Sequence, residues 1–177
     1  TSMPHLPDIR WDDNDEMRRV DLGGGGIAYY VHDAARERIR KVIETMEGVL
    51  VEKIHLGGLD LFRERTAEGG VIRSRFSLSV MDGPSRVAVV DVETIGDGPR
   101  DPVFRFQLGN HLGSATLELD ESAALISYEE YYPYGSTAYQ SGPNAAEVGL
   151  KRYRYLAQER DDETGLYKNG ARTYAPW

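Results

Sequence analysis

Hydrophobic and polar residues alternate along short runs of this chain. In Val103–Leu108, Phe104, Phe106 and Leu108 fall on one side, and Arg105 and Gln107 on the other. Ala115, Leu117 and Leu119 alternate with Thr116 and Glu118, and Phe76, Leu78 and Val80 with Arg75, Ser77 and Ser79. Leu50, Ile54 and Leu56 share a side, with Glu52 the polar exception. A period of two marks strands with one face buried and one wet, so the apolar sets are expected inward. Glycine, proline and Asp-Gly steps separate the runs at short intervals, which predicts an all-β chain of ten to twelve strands in consecutive antiparallel hairpins. A meander is expected over Val103–Leu108, Ala115–Leu119 and Leu125–Tyr131, with turns at Asn110–Gly113 and Asp120–Ala123. One segment speaks for a helix: Ile39, Val42, Ile43 and Met46 fall at i, i+3, i+4 and i+7, the spacing of an amphipathic face over Ala34–Met46.

The 177 residues suffice for one domain with a substantial core. The formal charge of −8 argues against a general nucleic-acid binder, which needs a basic face for phosphates. With no cysteine, disulfides, thiolate metal sites and a cysteine nucleophile are excluded. No run approaches the ~20 apolar residues of a membrane helix, and the start carries no signal-peptide pattern. Both ends look like cuts through a longer protein.

Candidate chemistry is sparse. Gly23–Gly26 lacks the Lys-Ser/Thr and following helix of a phosphate loop; Ile27-Ala28-Tyr29-Tyr30 follows instead, predicting a bend between strands. Glu159, Asp161, Asp162 and Glu163 form one acidic cluster and Glu129-Glu130 another. Paired carboxylates can serve acid–base chemistry or bind a hard cation. Here Lys151, Arg152, Arg154, Arg160 and Arg172 stand near enough in sequence to neutralise them, and a salt-bridged or solvated turn is expected, with Arg160 and Asp161 tying it to a neighbouring strand. His111, beside Ser114, lacks an orienting acid in its motif and is expected in a turn, bonded to backbone. His5, His32, His55 and His111 are too scattered for a metal site. No catalytic, cofactor or metal residues are assigned. Nine of the 11 tyrosines follow Ser127; they are expected as half-buried strand residues, a ladder of stacked rings being the sharper alternative.

Three stretches resemble one family. Tyr30-Val31-His32-Asp33 with Arg38-Ile39-Arg40-Lys41 resembles a YD repeat, although His32 and Arg36 depart from its usual tyrosine and glycine. Gln107-Leu108-Gly109-Asn110-His111-Leu112-Gly113-Ser114, continuing to Tyr131-Tyr132-Pro133-Tyr134-Gly135, resembles the opening of the Rhs repeat-associated core. Tyr153-Arg154-Tyr155, Glu159-Arg160-Asp161 through Gly165-Leu166-Tyr167, and Gly170-Ala171-Arg172 resemble its later half. The subgroup is that of the C components of insecticidal Tc toxins. The resemblance implies a YD-repeat-like shell segment over residues 1–100 and a C-terminally truncated core over 101–177. It also implies a hairpin across Ala28–Asp33 and Arg38–Ile43 in place of the helix. The implied function is structural, a wall of a secreted virulence device that confines a C-terminal toxic polypeptide, with the rest of the shell, the cargo and B- and A-type toxin components as partners. The acids that the family uses for self-cleavage would lie beyond Trp177, so this segment is expected to be no enzyme. The alternative is a β-rich module that binds carbohydrate or a cell surface through exposed tyrosines.

Overall fold

The computed structural model describes residues 2–98, 101–170 and 172–177. The boundary proposed at residue 100 and Ala171 of the last motif fall outside these residues. The chain is all-β. Twelve strands form one antiparallel sheet in which neighbours in sequence are neighbours in space: β1 Ile9–Trp11, β2 Met17–Asp21, β3 Ile27–His32, β4 Arg38–Glu44, β5 Leu50–Leu56, β6 Leu59–Arg65, β7 Val71–Asp82, β8 Ser85–Ile95, β9 Val103–Gly109, β10 Ala115–Leu119, β11 Leu125–Tyr131 and β12 Thr137–Ser141. A short helix α1 (Ala145–Gly149) and a single 3₁₀ turn (Tyr155–Ala157) lead into a three-stranded sheet of β13 Glu159–Asp161, β14 Leu166–Asn169 and β15 Arg172–Tyr174. No helix among the described residues is long and apolar enough to cross a membrane.

One turn recurs along the chain. Residue i donates its N–H to the carbonyl of i+4 and accepts from the N–H of i+3. It does so with i at Asp12, Asp33, Thr45, Thr66, Asn110, Asp120 and Tyr132. The i+3 residue is left-handed in these seven: Asp15, Arg36, Gly48, Gly69, Gly113, Ala123 and Gly135; Leu22 makes the same two bonds, but its i+3 residue, Gly25, is not left-handed. Where i is Asp or Asn, its side-chain oxygen also accepts from the N–H groups of i+2 and i+4. Where i is Thr, the hydroxyl accepts from i+4 alone. This is a type I turn closed by a left-handed bulge residue, a standard three-residue hairpin loop.

The Ala34–Met46 helix does not form. β3 and β4 pair through Tyr30↔Lys41 and Val31↔Arg40, as the repeat resemblance implied, because the Asp33 turn and β-branched Val31, Ile39, Val42 and Ile43 favour a hairpin. The glycine run makes the β2–β3 bend as expected. Leu22 N–H donates to the Gly26 carbonyl, and a Cβ on Gly26 would stand 2.0 Å from the Glu44 carbonyl oxygen.

The meander strands and turns lie where the pattern put them, but the buried face is the opposite one. Arg105 and Glu118 are 2% and 1% exposed, whereas Phe106 and Leu108 are 42% and 49% exposed; Phe104, Leu117 and Leu119 are intermediate. Likewise Arg75 and Ser77 are buried while Leu78 and Val80 are exposed. Cross-strand ion pairs explain the inversion: charged heads meet on one face and their long apolar stems lie along the sheet.

Two compact units divide the chain. The first comprises Thr1–Leu78, Asp91–Pro102 and Gly170–Arg172; the second Ser79–Val90, Val103–Asn169 and Thr173–Trp177. In the first, Lys53 Nζ and His55 Nδ1 meet Asp60 at 3.0 and 2.9 Å. Arg73 meets Glu93 at 3.0 Å, Arg65 Nη2 meets Glu52 at 3.1 Å, and Ser77 Oγ hydrogen-bonds Asp91. Tyr30 is buried under the Arg38 guanidinium, 5.5 Å from its ring centre.

Candidate functional site

The second unit holds the densest polar cluster. β9, β10 and β11 turn Arg105, Gln107, Glu118, Ser127 and Glu129 to one face by the register Glu118↔Gln107 and Glu118↔Ser127. Ser127 Oγ and Gln107 Nε2 donate to Glu118 at 2.7 and 2.8 Å. The stretch after β12 supplies the cover. Asn144 caps α1 through Ala146 N–H, and Glu147 then reaches the Arg105 guanidinium. Beyond it, Lys151 and Arg154 enter the sheet's polar face and are themselves buried.

Glu129 is the centre of this arrangement. It is fully buried and accepts from Arg154 Nη1 at 2.9 Å on both oxygens, from Thr137 Oγ1 at 2.7 Å and from the Tyr131 hydroxyl at 3.0 Å. Lys151 Nζ lies 3.2 Å away and also donates to the Ala115 carbonyl. Burial alone would raise the Glu129 carboxyl; the Arg154 and Lys151 charges outweigh it and hold the group below the usual carboxylate range. Burial also pushes Lys151 down, against the pull of Glu129 and Glu118. The Tyr131 phenol is raised, first by burial and then by the adjacent Glu129 charge.

Next to the charges, tyrosines hold one turn. The hydroxyls of Tyr155, Tyr174 and Tyr167 donate to the successive carbonyls of Pro133, Tyr134 and Gly135, at 2.9, 2.7 and 2.9 Å. Their rings follow Tyr131 in sequence of contact: Tyr131–Tyr155 at 5.9 Å, Tyr155–Tyr167 at 6.3 Å and Tyr167–Tyr174 at 6.4 Å, all tilted or edge-on. The rings touch in series, as the ladder alternative required, but they are tilted or edge-on rather than stacked, the geometry favoured by the ring quadrupoles. Tyr155 stands in the 3₁₀ turn and not in a strand. Burial pushes the Tyr167 phenol up to about 12. Gly135 is required here, since a Cβ would stand 2.4 Å from the Tyr155 ring.

The motif residues from the sequence fall into place unevenly. Tyr131, Pro133, Gly135 and Tyr167 come together in the tyrosine clamp. Arg160 reaches Thr137 Oγ1 at 3.1 Å, so β13 is tied to β12 as expected, and Asp161 is buried and closes its turn by accepting from the Gly165 N–H at 2.7 Å. Glu159 is buried in the same strand. Gly109, Asn110 and Gly113 shape the β9–β10 turn, but His111 is exposed on it and Asn110, not His111, makes the backbone bonds. That corrects the expectation for His111: the turn's N–H groups already have the shorter Asn side chain. Tyr30, Asp33 and Arg38 belong to the first unit's β3–β4 hairpin. Gly170 (φ +57) turns the chain between β14 and β15, and Arg172 is exposed on β15.

The alternation puts Arg105 and Glu118 outward and sets no face for Ser127, so none of the three is legible from it as a site residue. The available signal was that the face carries both charge signs on adjacent strands. Among the described residues, no group of three or more His, Asp or Glu is arranged to hold a metal ion. The cluster can do one thing well, which is to lock the stretch from Glu147 to Arg154 onto β9–β11, because each buried charge is met by its opposite.

No protein-family model matches the chain. It is 34% identical over 179 residues to the toxin subunit YenC2 of Yersinia entomophaga, covering 94% of this chain and 18% of that protein. It is 48% identical over 74 residues to the toxin subunit YenC1 of the same organism, covering 42% of this chain and 8% of that one. The crystal structure of TcdB2–TccC3 superposes with a TM-score of 0.90 at 27% identity, over 99% of this chain and 9% of that chain. A Tc holotoxin pore of Photorhabdus luminescens gives 0.87 at 28%, over 100% and 8%. The chain therefore spans less than a fifth of the length of these curated relatives.

Proposed function

Because the chain is a Tc C-component-like, Rhs-associated segment, we propose that it forms part of the wall of a toxin-encapsulating shell. The observation that carries this is the strictly sequential order of twelve antiparallel strands, an arrangement similar to TcdB2–TccC3 along nearly the whole chain. A sheet that grows hairpin by hairpin can extend without limit and satisfies its backbone groups at each step. Such a wall separates a toxic polypeptide from its surroundings and leaves it too little volume to form a core. On this reading residues 1–100 are shell repeat and 101–177 the start of the core domain, within which Glu129, Lys151 and Arg154 fasten the stretch after β12 to β9–β11. The partners are the remainder of the shell, the cargo and the B- and A-type components of a secreted complex.

We assign the segment no catalytic step, since the Glu129 oxygens are taken up by Arg154, Thr137, Tyr131 and Lys151. Grafting the chain in place of the matching stretch of a TcdB2–TccC3 shell tests the wall directly. The enclosed cargo should resist added protease as it does in the parent shell. Rapid digestion of cargo inside a folded, assembled chimera would overturn the proposal. The isolated chain should stay intact on incubation; reproducible scission abolished by Asp161→Asn or Asp162→Asn would place the active acids here.

A further inference from the structure

The second unit holds an open cavity of about 520 Å³ between the start of β8, the β9–β10 turn and the 3₁₀ turn, within the roughly 300–1,000 Å³ of small-molecule sites. Its lining is drawn from Pro84 to Ala157, so neither end of the sequence shapes it. Among the described residues Arg86 is the one lining side chain of fixed charge, and no carboxylate lines the same space. The guanidinium carbon stands 3.3 Å from the centre of the Tyr153 ring, and Nε donates to Ser79 Oγ at 3.1 Å, which fixes the plane of the group. Around it donors outnumber acceptors. Asn110 Oδ1 is taken by the Leu112 and Ser114 N–H groups, so Nδ2 is what the side chain has left to offer. Gln107 gives its Nε2 to Glu118 and keeps an acceptor oxygen. The Ser85 hydroxyl and the His111 ring are exposed and have no hydrogen bond or ion pair among the described residues. Apolar surface completes the lining, with Leu112 and Leu156 49% and 39% exposed.

The wall that carries Leu156 is built at a cost. Arg154 donates its N–H to the Gln158 carbonyl and accepts from the Ala157 N–H, yet Leu156 and Ala157 are both left-handed, at φ +53° and +55°. Two such residues in succession are strained, and strain of this kind persists where the surroundings over-determine it, as at ligand clamps. Here the fully buried Ser114 accepts the Leu156 N–H at 3.0 Å, and Glu129 holds the Arg154 side chain. We propose that the cavity binds a small organic acid, one carboxylate on an apolar body. The guanidinium of Arg86 pairs with the carboxylate through its N–H groups, and Asn110 and His111 add donors. The apolar body lies against Tyr153, Leu112 and Leu156. A cationic ligand would meet Arg86 with no lining carboxylate to receive it. The site is read from its own lining and does not depend on the wall proposal.

The test is titration of the isotope-labelled full chain with phenylacetate. Phenethylamine keeps the ring and reverses the charge; acetate keeps the charge and drops the ring. Phenylacetate should shift the amides of His111, Leu112, Gly113, Leu156 and Ala157 with a Kd of about 1 mM. Acetate should bind about tenfold more weakly, and phenethylamine should leave these amides in place. Arg86→Gln should weaken phenylacetate about tenfold. Ser85→Asp puts a carboxylate in the lining without touching the Arg86–Tyr153 stack, and should weaken it as much with an unchanged circular dichroism spectrum. No shift at roughly 20 mM phenylacetate, equal shifts from phenethylamine, or undiminished binding by the Ser85→Asp variant would overturn the proposal. Inorganic phosphate binding more tightly than phenylacetate at the same amides would overturn it in favour of a small-anion site.

Discussion

Arg36 and Ala123 occupy the left-handed position of their turns, at φ +67° and +63°, where four sister turns use glycine. A residue with a Cβ pays roughly 1–2 kcal/mol for that conformation, partly offset because glycine loses more freedom on folding. Arg36→Gly and Ala123→Gly should therefore each stabilise the chain, by about 0.5 kcal/mol, seen as a higher urea midpoint at unchanged slope. A lower midpoint for both would mean that the arginine or alanine side chain supports the turn in some other way. Glu129 illustrates the opposite case, in which a side chain is irreplaceable because of its neighbours. Glu129→Gln leaves Lys151 and Arg154 buried beside a neutral group and should cost about 3–5 kcal/mol, the range for breaking one partner out of a buried ion cluster. Glu130→Gln, next in sequence but exposed, should stay within about 0.5 kcal/mol. Equal urea midpoints for the two variants would show that the buried cluster contributes little.

Elements were legible in this sequence wherever turn chemistry was local. Asn110–Gly113 and Asp120–Ala123 announce their turns because the capping oxygen and the bulge residue lie within five positions of each other. The YD-like Asp33 turn prevailed over the helical period of Ile39, Val42, Ile43 and Met46 for the same reason. Facing was not legible from alternation, which says that Phe106 and Arg105 part company but not which one goes inward. That choice rests on Glu147, Lys151 and Arg154, which meet Arg105 and Glu129 from as far as 42 residues away in sequence and whose charges make the polar face of β9–β11 the one worth covering. Turn chemistry also sets an acid limit on the β10–β11 hairpin. The Ser122 hydroxyl, with the Ala124 and Ser122 N–H groups, holds the Asp120 carboxyl below its ordinary value. Its folded pKa being depressed, its contribution is present above the unfolded value, near 3.9, and is lost as pH falls through the folded value. Asp120→Asn keeps an acceptor for both N–H groups, as Asn110 does, and should preserve hairpin protection at pH 7 while flattening its loss in acid. Asp120→Ala should speed amide exchange across β10–β11 at pH 7. Hydrogen exchange from pH 7 to 3 checks both, and an acid loss as steep in the Asn variant as in the parent would refute the assignment.

Across the whole molecule, the inverted facing leaves apolar side chains in water. In the second unit Phe104 and Phe106 stack at 6.3 Å between ring centres, with Phe106 and Leu108 exposed and Leu117 and Leu119 half-buried beside them. In the first, Leu56 and Leu78 are exposed in the same way. Contiguous apolar surface of this kind drives association in proportion to the area it can remove from water. The charge of −8 opposes association only through a field that salt screens within about 8–10 Å. The chain should therefore self-associate, and more strongly in salt, since screening removes the repulsion and leaves the apolar attraction. Phe106→Glu with Leu108→Glu places two carboxylates on that surface without touching the buried face that holds Arg105 and Glu118. Sedimentation velocity should show the parent shifting to larger species between about 50 and 500 mM salt, a range over which screening grows several-fold. The double variant should remain a monomer with an unchanged circular dichroism spectrum. Were association instead to weaken with salt and persist in the double variant, charge pairing would be its cause and the exposed apolar face would have no part in it.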